Sequence, residues 1–330
     1  MDFRLDNDQL ALQDAVAAFC AARYPVERIG ERDGAAVTST QWKELADLGV
    51  FSLLDAGADA DIGLVEAALV FEQLGRFLVG GPIVWSTLAG SVASTATDSS
   101  KVVAGLDLVG AESEPLIVEY ASDADTLLVL RSDGVFVIEQ DDLGGPDELE
   151  PLDPLTPVGQ YGELPDGTRV AGSDVADRMR DHGAVLSAAM LLGVSESALA
   201  IAREFSLERE QFGRPIATFQ ALQHMMADMF VRTSLARSAT YAAAAVLDDP
   251  AIGDVGRSVS AAKLLAGEAA TDNARAAVQV LGGMGFTWEM LPHYLLKRAW
   301  VLENAFGTSK THALAISSSL EAASSEGTAR

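Results

Sequence analysis

Hydrophobic spacing changes its period twice along this chain, and that change limits the architecture more than any other feature. Up to about residue 95 the apolar residues follow the helical period. Leu10, Val16, Phe19 and Cys20 share a face before Pro25, and Trp42, Leu45 and Leu48 share one over 41–48, with Gly49 as a stop. The run from Gly63 to Arg76 carries a third stripe, with Gly75 as its expected C-terminal stop. From about 101 to 175 the pattern breaks into short apolar runs at 102–109, 116–120, 125–132 and 135–138. Asp133-Gly134 between the last two is a hairpin signal. Gly144-Gly145-Pro146, Pro151, Pro154 and Pro157 punctuate the loops that follow. Beyond Asp174 the helical period returns. Leu222, Met226, Met229, Thr233 and Ala236 form the stripe of a segment over 219–248, followed by helices over 256–281, from Pro292, and over 306–320. The tail from Ala322 to Arg330 is expected to fray. The spacing predicts a mainly α protein with a small β domain: an N-terminal helical domain over 1–100, a middle β domain over 101–175 and a C-terminal helical bundle over 176–330.

A chain of 330 residues, 49% hydrophobic, can bury a large core. Lys and Arg number 23 against 48 Asp and Glu, for a formal charge of -25. That surface excludes nucleic acid, which is held by Lys and Arg on phosphate, and it is repelled by acidic membranes. The one cysteine, Cys20, lies in an apolar pattern and reads as a core residue in a reducing compartment. Met1 to Asp6 lack the basic-then-apolar order of a signal peptide, and no apolar stretch is expected to span a membrane, which needs roughly 20 residues. The expectation is a cytoplasmic protein. His224, His293 and His312 stand apart from one another, so no metal is expected. There is no Gly-x-Gly-x-x-Gly, phosphate-binding loop or Gly-x-Ser-x-Gly elbow.

Three stretches carry chemistry. The first is Glu208-Arg209-Glu210-Gln211-Phe212-Gly213, followed by Phe219-Gln220. A guanidinium such as that of Arg209 matches phosphate oxygens with two parallel donors. The second, Gln279-Val280-Leu281-Gly282-Gly283-Met284-Gly285, ends a helix in glycines, so that no Cβ keeps a ligand from the backbone. The third is Ala305-Phe306-Gly307-Thr308-Ser309, where small and hydroxyl residues open a helix. In these stretches the chain resembles the C-terminal domain of acyl-CoA dehydrogenases, flavoenzymes that remove the α-proton and β-hydride of an acyl thioester. The resemblance covers about 185–315, and Glu72-Gln73-Leu74-Gly75-Arg76 extends it to the N-terminal helices. It implies that family's helical–β–helical fold. It also implies that Arg209 reaches the pyrophosphate of a neighbour's FAD, that Phe212 and Gln220 contact the nucleotide, and that Gln279, Gly282 and Gly283 hold its adenine half. Thr308 would lie near the flavin of the chain's own pocket.

The departures from the family matter as much. Where the family writes Tyr-Glu-Gly-Thr, with Glu as base, this chain writes Ala305-Phe306-Gly307-Thr308, and a phenyl ring accepts no proton. Glu303 lies three residues upstream. Asp181 and His182 lie beside the family's other base position, which falls at Gly183-Ala184. Glu303 and Asp181 are the fallback bases. The Glu-Pro-x-x-Gly-Ser-Asp-like and Trp-Ile-x-Asn-like stretches that hold the flavin ring in relatives are missing between 96 and 176. The resemblance therefore implies the non-catalytic subunit of a heteromeric, α2β2 acyl-CoA dehydrogenase of the actinobacterial kind that takes bulky thioesters such as steroid side chains. A catalytic partner subunit would supply the base and hold most of the acyl-CoA. FAD would be shared, and an electron-transfer flavoprotein would accept the electrons. Two alternatives stand beside it: a self-sufficient homo-oligomer using Glu303 or Asp181, and a non-enzymatic scaffold.

Overall fold

Asp6 starts the first helix with a reciprocal cap: its carboxylate accepts from the backbone N–H of Asp8 and Gln9, while the Gln9 side chain accepts from the N–H of Asp6. Helix α1 (Asn7–Arg23) follows, then α2 (Ser39–Asp47), α3 (Leu64–Arg76) and α4 (Ile83–Gly90). The β segment contains β1 (Val103–Asp107), β2 (Leu116–Glu119), β3 (Thr126–Arg131), β4 (Gly134–Glu139), the short α5 (Gln140–Leu143), β5 (Asp147–Leu149), β6 (Val158–Tyr161) and β7 (Thr168–Gly172). The long α6 (Ser173–Glu208) leads to two-residue strands β8 (Glu210–Gln211) and β9 (Arg214–Pro215). The chain finishes with α7 (Gln220–Asp248), α8 (Val255–Leu281), α9 (Pro292–Asn304) and α10 (Ser309–Gly327). This computed structural model describes residues 5–32, 38–55, 62–92, 101–109 and 115–327. Met1 to Arg4 and the last residues of the tail lie outside that set. Helix α10 runs on to Gly327, past its expected end at Leu320.

The protein is mostly helical with a small sheet region, as its spacing predicts. Contacts gather it into two compact units, one formed by 1–30, 68–79 and 184–330 and the other by 31–67 and 80–183.

In the first unit, helices approach through small residues. A Cβ on Gly75 would sit 2.1 Å from the carbonyl oxygen of Met190, and one on Gly193 would sit 2.0 Å from that of Glu72. Gly75 therefore lies inside α3 as a crossing point against α6 and not as the expected stop. Buried alanines line α6, α7 and α8, among them Ala188, Ala198, Ala236, Ala244, Ala266 and Ala270. A buried polar knot joins these helices. The Asn273 amide donates to Ser195 Oγ at 2.8 Å, Thr233 Oγ1 at 2.9 Å and the Met229 carbonyl at 3.0 Å, and its oxygen accepts from Arg232. On α1, Val16 and Cys20 are buried but Leu10 is exposed, so the apolar face is narrower than its spacing suggests. Burial pushes the Cys20 thiol up to about 12, leaving it an unreactive core group.

In the second unit, one sheet runs β1-β3-β4-β7, with β1 and β3 parallel and the other pairs antiparallel, and a second sheet runs β2-β6-β5. Ala104, Val118, Leu127, Val129 and Ile138 fill its core. The β3–β4 hairpin forms where expected, but Arg131 pairs with Gly134, so its loop is Ser132-Asp133 and Gly134 is already in the strand. In α2, Trp42 and Leu45 are buried while Leu48 is exposed, and Gly49 stops the helix at φ 86°.

One expectation about length is not met, that no apolar stretch approaches the roughly 20 residues of a span. Helix α6 is long and apolar enough to cross a membrane by length and composition, although 78% of its most apolar window is buried inside the protein. It is a core helix whose apolar character answers to the surrounding helices.

Candidate functional site

The segment after α6 makes a tight hairpin. Glu210 pairs with Pro215 and Gln211 with Arg214 around Phe212-Gly213, whose φ values are 54° and 78°. Positive φ at both central residues is the two-residue turn that matches strand twist. Glycine takes that conformation freely, whereas phenylalanine pays about 1–2 kcal/mol. Phe212 is nevertheless 92% exposed. Its ring meets that of Phe219 edge to face, with centroids 6.1 Å apart, while the Arg214 guanidinium covers Phe219 at 4.3 Å. Arg209 and Gln220 flank this hairpin and are exposed, and the Arg209 carbonyl accepts from Ile216 N–H at 2.8 Å to close it. A strained aromatic and an exposed arginine thus belong to one short, well-braced element.

The C-terminus of α8 offers open backbone. Gly282 has φ 63° and its N–H returns to Gln279 and Val278. A Cβ on Gly282 or Gly283 would meet nothing within 4 Å, and Gln279 beside them is exposed. Gly285 is different: its Cβ would fall 2.7 Å from the Val278 carbonyl, so it is glycine for packing. Phe286 and Trp288 follow as exposed aromatics, with Lys297 Nζ 4.2 Å from the Trp288 ring.

The turn before α10 is held from within. Lys263 of α8, 1% exposed, donates to the carbonyl of Glu303 at 2.8 Å and to that of Gly307 at 3.0 Å. Glu303 Oε1 accepts the backbone N–H of Ser309 at 2.7 Å. His312 Nε2 lies 3.0 Å from the Phe306 carbonyl and Nδ1 3.2 Å from Ser260 Oγ. Because a carbonyl only accepts, His312 carries its proton on Nε2 and Nδ1 accepts from Ser260. Thr308 Oγ1 accepts from Thr311 N–H, giving the helix a second cap. Phe306 has φ 53° and Gly307 φ 99°, and a Cβ on Gly307 would strike His312 Nε2 at 2.8 Å. Burial lowers the Lys263 pKa to about 8, with Glu303 acting against it. Burial also lowers that of His312, as does Lys263, while its bond to Phe306 and the Glu303 charge oppose this.

Asp181 and His182 lie on α6 in the second unit, both partly buried. Burial, then the charge of Asp177, raises the Asp181 pKa to about 6 against the pull of Arg180. Arg180 is engaged with Asp107 at 3.0 Å and Asp177 at 2.7 Å. Burial and Arg178 lower His182 to about 4, and its Nδ1 is buried without a hydrogen-bond partner. Among the described residues no group of three or more His, Cys, Asp or Glu side chains could hold a metal.

The residues singled out by sequence fall into local groups: Arg209, Phe212 and Gln220 at the hairpin, Gln279, Gly282 and Gly283 at the end of α8, and Glu303, Phe306 and Thr308 in the turn, all in the first unit. Asp181 belongs to the second. Sequence reasoning missed Lys263 and His312. The signal for Lys263 was present, because it lies on the same face of α8 as the buried Val259 and Ala266.

Known proteins resemble this chain in sequence and in fold. Residues 171–321 match the family model for the acyl-CoA dehydrogenase, C-terminal domain. The acyl-CoA dehydrogenase IpdE2 of Mycolicibacterium smegmatis is 31% identical over 241 residues, which is 72% of this chain and 72% of that protein. The fold is that of the ChsE4-ChsE5 complex from Mycobacterium tuberculosis, at 23% identity and TM-score 0.80, covering 97% of this chain and 99% of that one. It is also that of a glutaryl-CoA dehydrogenase from Mycobacterium smegmatis in complex with FADH2, at 18% identity and TM-score 0.82, covering 96% and 95%.

Proposed function

The chain belongs to the acyl-CoA dehydrogenase family, and on that footing we propose that it is the non-catalytic subunit of a heteromeric enzyme, lending contacts to a partner's FAD without a base of its own. The observation that carries this reading is the turn before α10. Its central side chain is Phe306, and the nearest carboxylate in sequence, Glu303, is bound to the Ser309 N–H. A general base must reach the proton it removes, and this one is committed to capping a helix.

The residues present fit one half of FAD. Arg209 is exposed and suits the pyrophosphate, Phe212 offers an open aromatic surface, and Gln220 brings an amide. Gln279 stands beside glycines over which there is free space. When bound, FAD supplies the hydride acceptor of the dehydrogenation. Arg209 would neutralise phosphate charge, Phe212 would shield the nucleotide from water, and Gln279, Gly282 and Gly283 would seat the adenine end. Thr308 keeps its helix-capping work. The carboxylate that takes the α-proton, and most of the acyl-CoA site, belong to a partner subunit in an α2β2 assembly, with an electron-transfer flavoprotein as acceptor and the cytoplasm as the setting. A fold neighbour that is itself a complex of two named chains supports the heteromeric reading.

Co-expression with a catalytic partner tests it. Bound flavin near one per two chains is the expected result. One flavin per chain in this protein purified alone, with turnover of an acyl-CoA, overturns it. The pKa of Asp181, raised to about 6, favours the self-sufficient reading as the second choice, and loss of such turnover in Asp181→Asn would establish it.

A further inference from the structure

The turn between α9 and α10 is held by two buried basic side chains from different helices, all within the first unit. Lys263 of α8 donates to the carbonyls of Glu303 and Gly307, and His312 of α10 donates to that of Phe306. The turn is also seated closely. A Cβ on Gly307 would lie 2.8 Å from His312 Nε2. One on Gly267 of α8 would lie 3.0 Å from Ser309 Oγ and 3.4 Å from Glu303 Cγ. Between these contacts Phe306 holds a left-handed backbone at φ 53°. A strained residue of this kind persists only while its surroundings hold it.

The two basic groups differ in what a proton does to them. An amine donates to its carbonyls whether charged or neutral, whereas His312 uses its second ring nitrogen as an acceptor. Nδ1 lies 3.2 Å from Ser260 Oγ and takes the hydroxyl hydrogen, because Nε2 carries the one given to Phe306. A second proton on the ring turns that acceptor into a donor facing Ser260 and sets a new cation near the Lys263 ammonium. The charged groups acting on the ring are Lys263 from α8 and Glu303 from α9, while Lys310, two residues before it on α10, is exposed. Glu303 attracts the ring, but its Oε1 is already bound to the Ser309 N–H at 2.7 Å. Burial lowers the pKa of His312 most and Lys263 adds to this, against the Phe306 bond and the Glu303 charge. A ring that resists its proton when docked takes it up when released. Falling pH below the ordinary 6.5 therefore favours the released turn.

We propose that His312 is an acid-operated latch, whose protonation beside Lys263 releases residues 305–308 and the first turn of α10 from α8. Three bonds then act together: the ring leaves Ser260, the Phe306 carbonyl loses its donor, and the left-handed residue relaxes. Release uncovers Ser260, Lys263 and Gly267 of α8, on which the turn is seated. The latch requires neither flavin nor a partner chain, so it does not rest on the proposed function.

The test is amide hydrogen exchange of the full chain at pH values from about 7.5 down to about 5, corrected for the intrinsic exchange rate. The N–H groups of Ser309, Thr311 and His312 bond Glu303 Oε1, Thr308 Oγ1 and the Thr308 carbonyl, so they report on the latch. The amides of α7 report on global unfolding. Below pH 6.5 the open fraction at 309–312 should rise by up to about tenfold per pH unit, the response to one proton, with α7 unchanged. His312→Gln keeps a side-chain donor for the Phe306 carbonyl but has no titrating ring, and it should flatten the profile. NMR titration of the His312 ring in the parent chain gives a reading that needs no variant to fold, with its midpoint expected below 6.5. Protection that stays constant down to about pH 5 overturns the proposal. So does a ring that titrates at 6.5 or above, or an acid response that persists in His312→Gln and thus belongs to Glu303.

Discussion

The Glu303 carboxylate accepts the Ser309 N–H at 2.7 Å, at the first residue of α10. A negative charge at that place satisfies an orphan amide and meets the positive end of the helix. The carboxylate nearest to Phe306 in sequence is thus already employed in holding the turn. Glu303→Gln should lower stability by about 0.5–1 kcal/mol in urea titrations. It should leave the turnover of the assembled enzyme within about twofold. A loss of two orders of magnitude in kcat with normal flavin content would instead make Glu303 the base.

Phe306 stands in the turn before α10 at φ 53°, with its carbonyl bound to His312, and on the proposed reading it takes the place of the family's base. On that reading, replacing it by a carboxylate supplies a proton acceptor but no contacts to a flavin ring. Phe306→Glu, purified without a partner, should show no acyl-CoA-dependent bleaching of flavin. Turnover by that single variant would contradict the shared-site reading.

The hairpin sets stability against function. Phe212 bears a left-handed backbone and is almost wholly in solvent, so Phe212→Gly should stabilise the isolated chain by about 1 kcal/mol. The same change should loosen flavin in the assembled enzyme several-fold. Arg209→Ala should leave the isolated chain within about 0.5 kcal/mol, because the residue is exposed, while reducing flavin retention about tenfold or more. Equal flavin content in both variants and the parent would remove these residues from any nucleotide contact.

Much of this was legible in the sequence where the cause is local. Period and turn chemistry gave the helices and the β segment, and Gly49 stops α2 as a left-handed glycine should. The hairpin at Asp133-Gly134 was legible but its register was not, because Gly134 joins the strand through pairing with Arg131 and Gly172. Gly75 was misread for a related reason. A helix-end glycine and a crossing glycine look alike until the partner helix is known, and here the partner, Met190, is far along the chain. Lys263 escaped because its acceptors, the carbonyls of Glu303 and Gly307, belong to another element.

Gly75→Ala tests the crossing directly. The added methyl would lie 2.1 Å from Met190 O and 2.6 Å from Met190 Cα, and both atoms are backbone. Backbone cannot swing aside as a side chain does, so the helices must separate. A small-to-large change of this kind costs about 1–3 kcal/mol or more, where alanine in an open helix would gain up to about 1 kcal/mol over glycine. Thermal melts should show a clear fall in Tm. A rise would mean that Gly75 is a simple helix residue and the close approach is absent.

Lys263 gives the protein a specific dependence on alkali. Burial lowers its pKa to about 8 from the ordinary 10.5, so between those values the unfolded chain holds more protons than the folded one. Stability contributed by this group therefore rises with pH across that window, and below it the protein bears the full cost of a buried ammonium. The two hydrogen bonds to Glu303 and Gly307 survive deprotonation, because a neutral amine still has two N–H donors. Lys263→Met removes both the cost and the bonds. The stability difference, wild type minus variant, should climb by an amount on the order of 3 kcal/mol from pH 8 to 10.5, read from urea titrations at each pH. Other alkaline titrations affect both proteins alike and cancel in the difference. A flat difference would mean that the folded protein holds the ammonium at no cost over the unfolded chain.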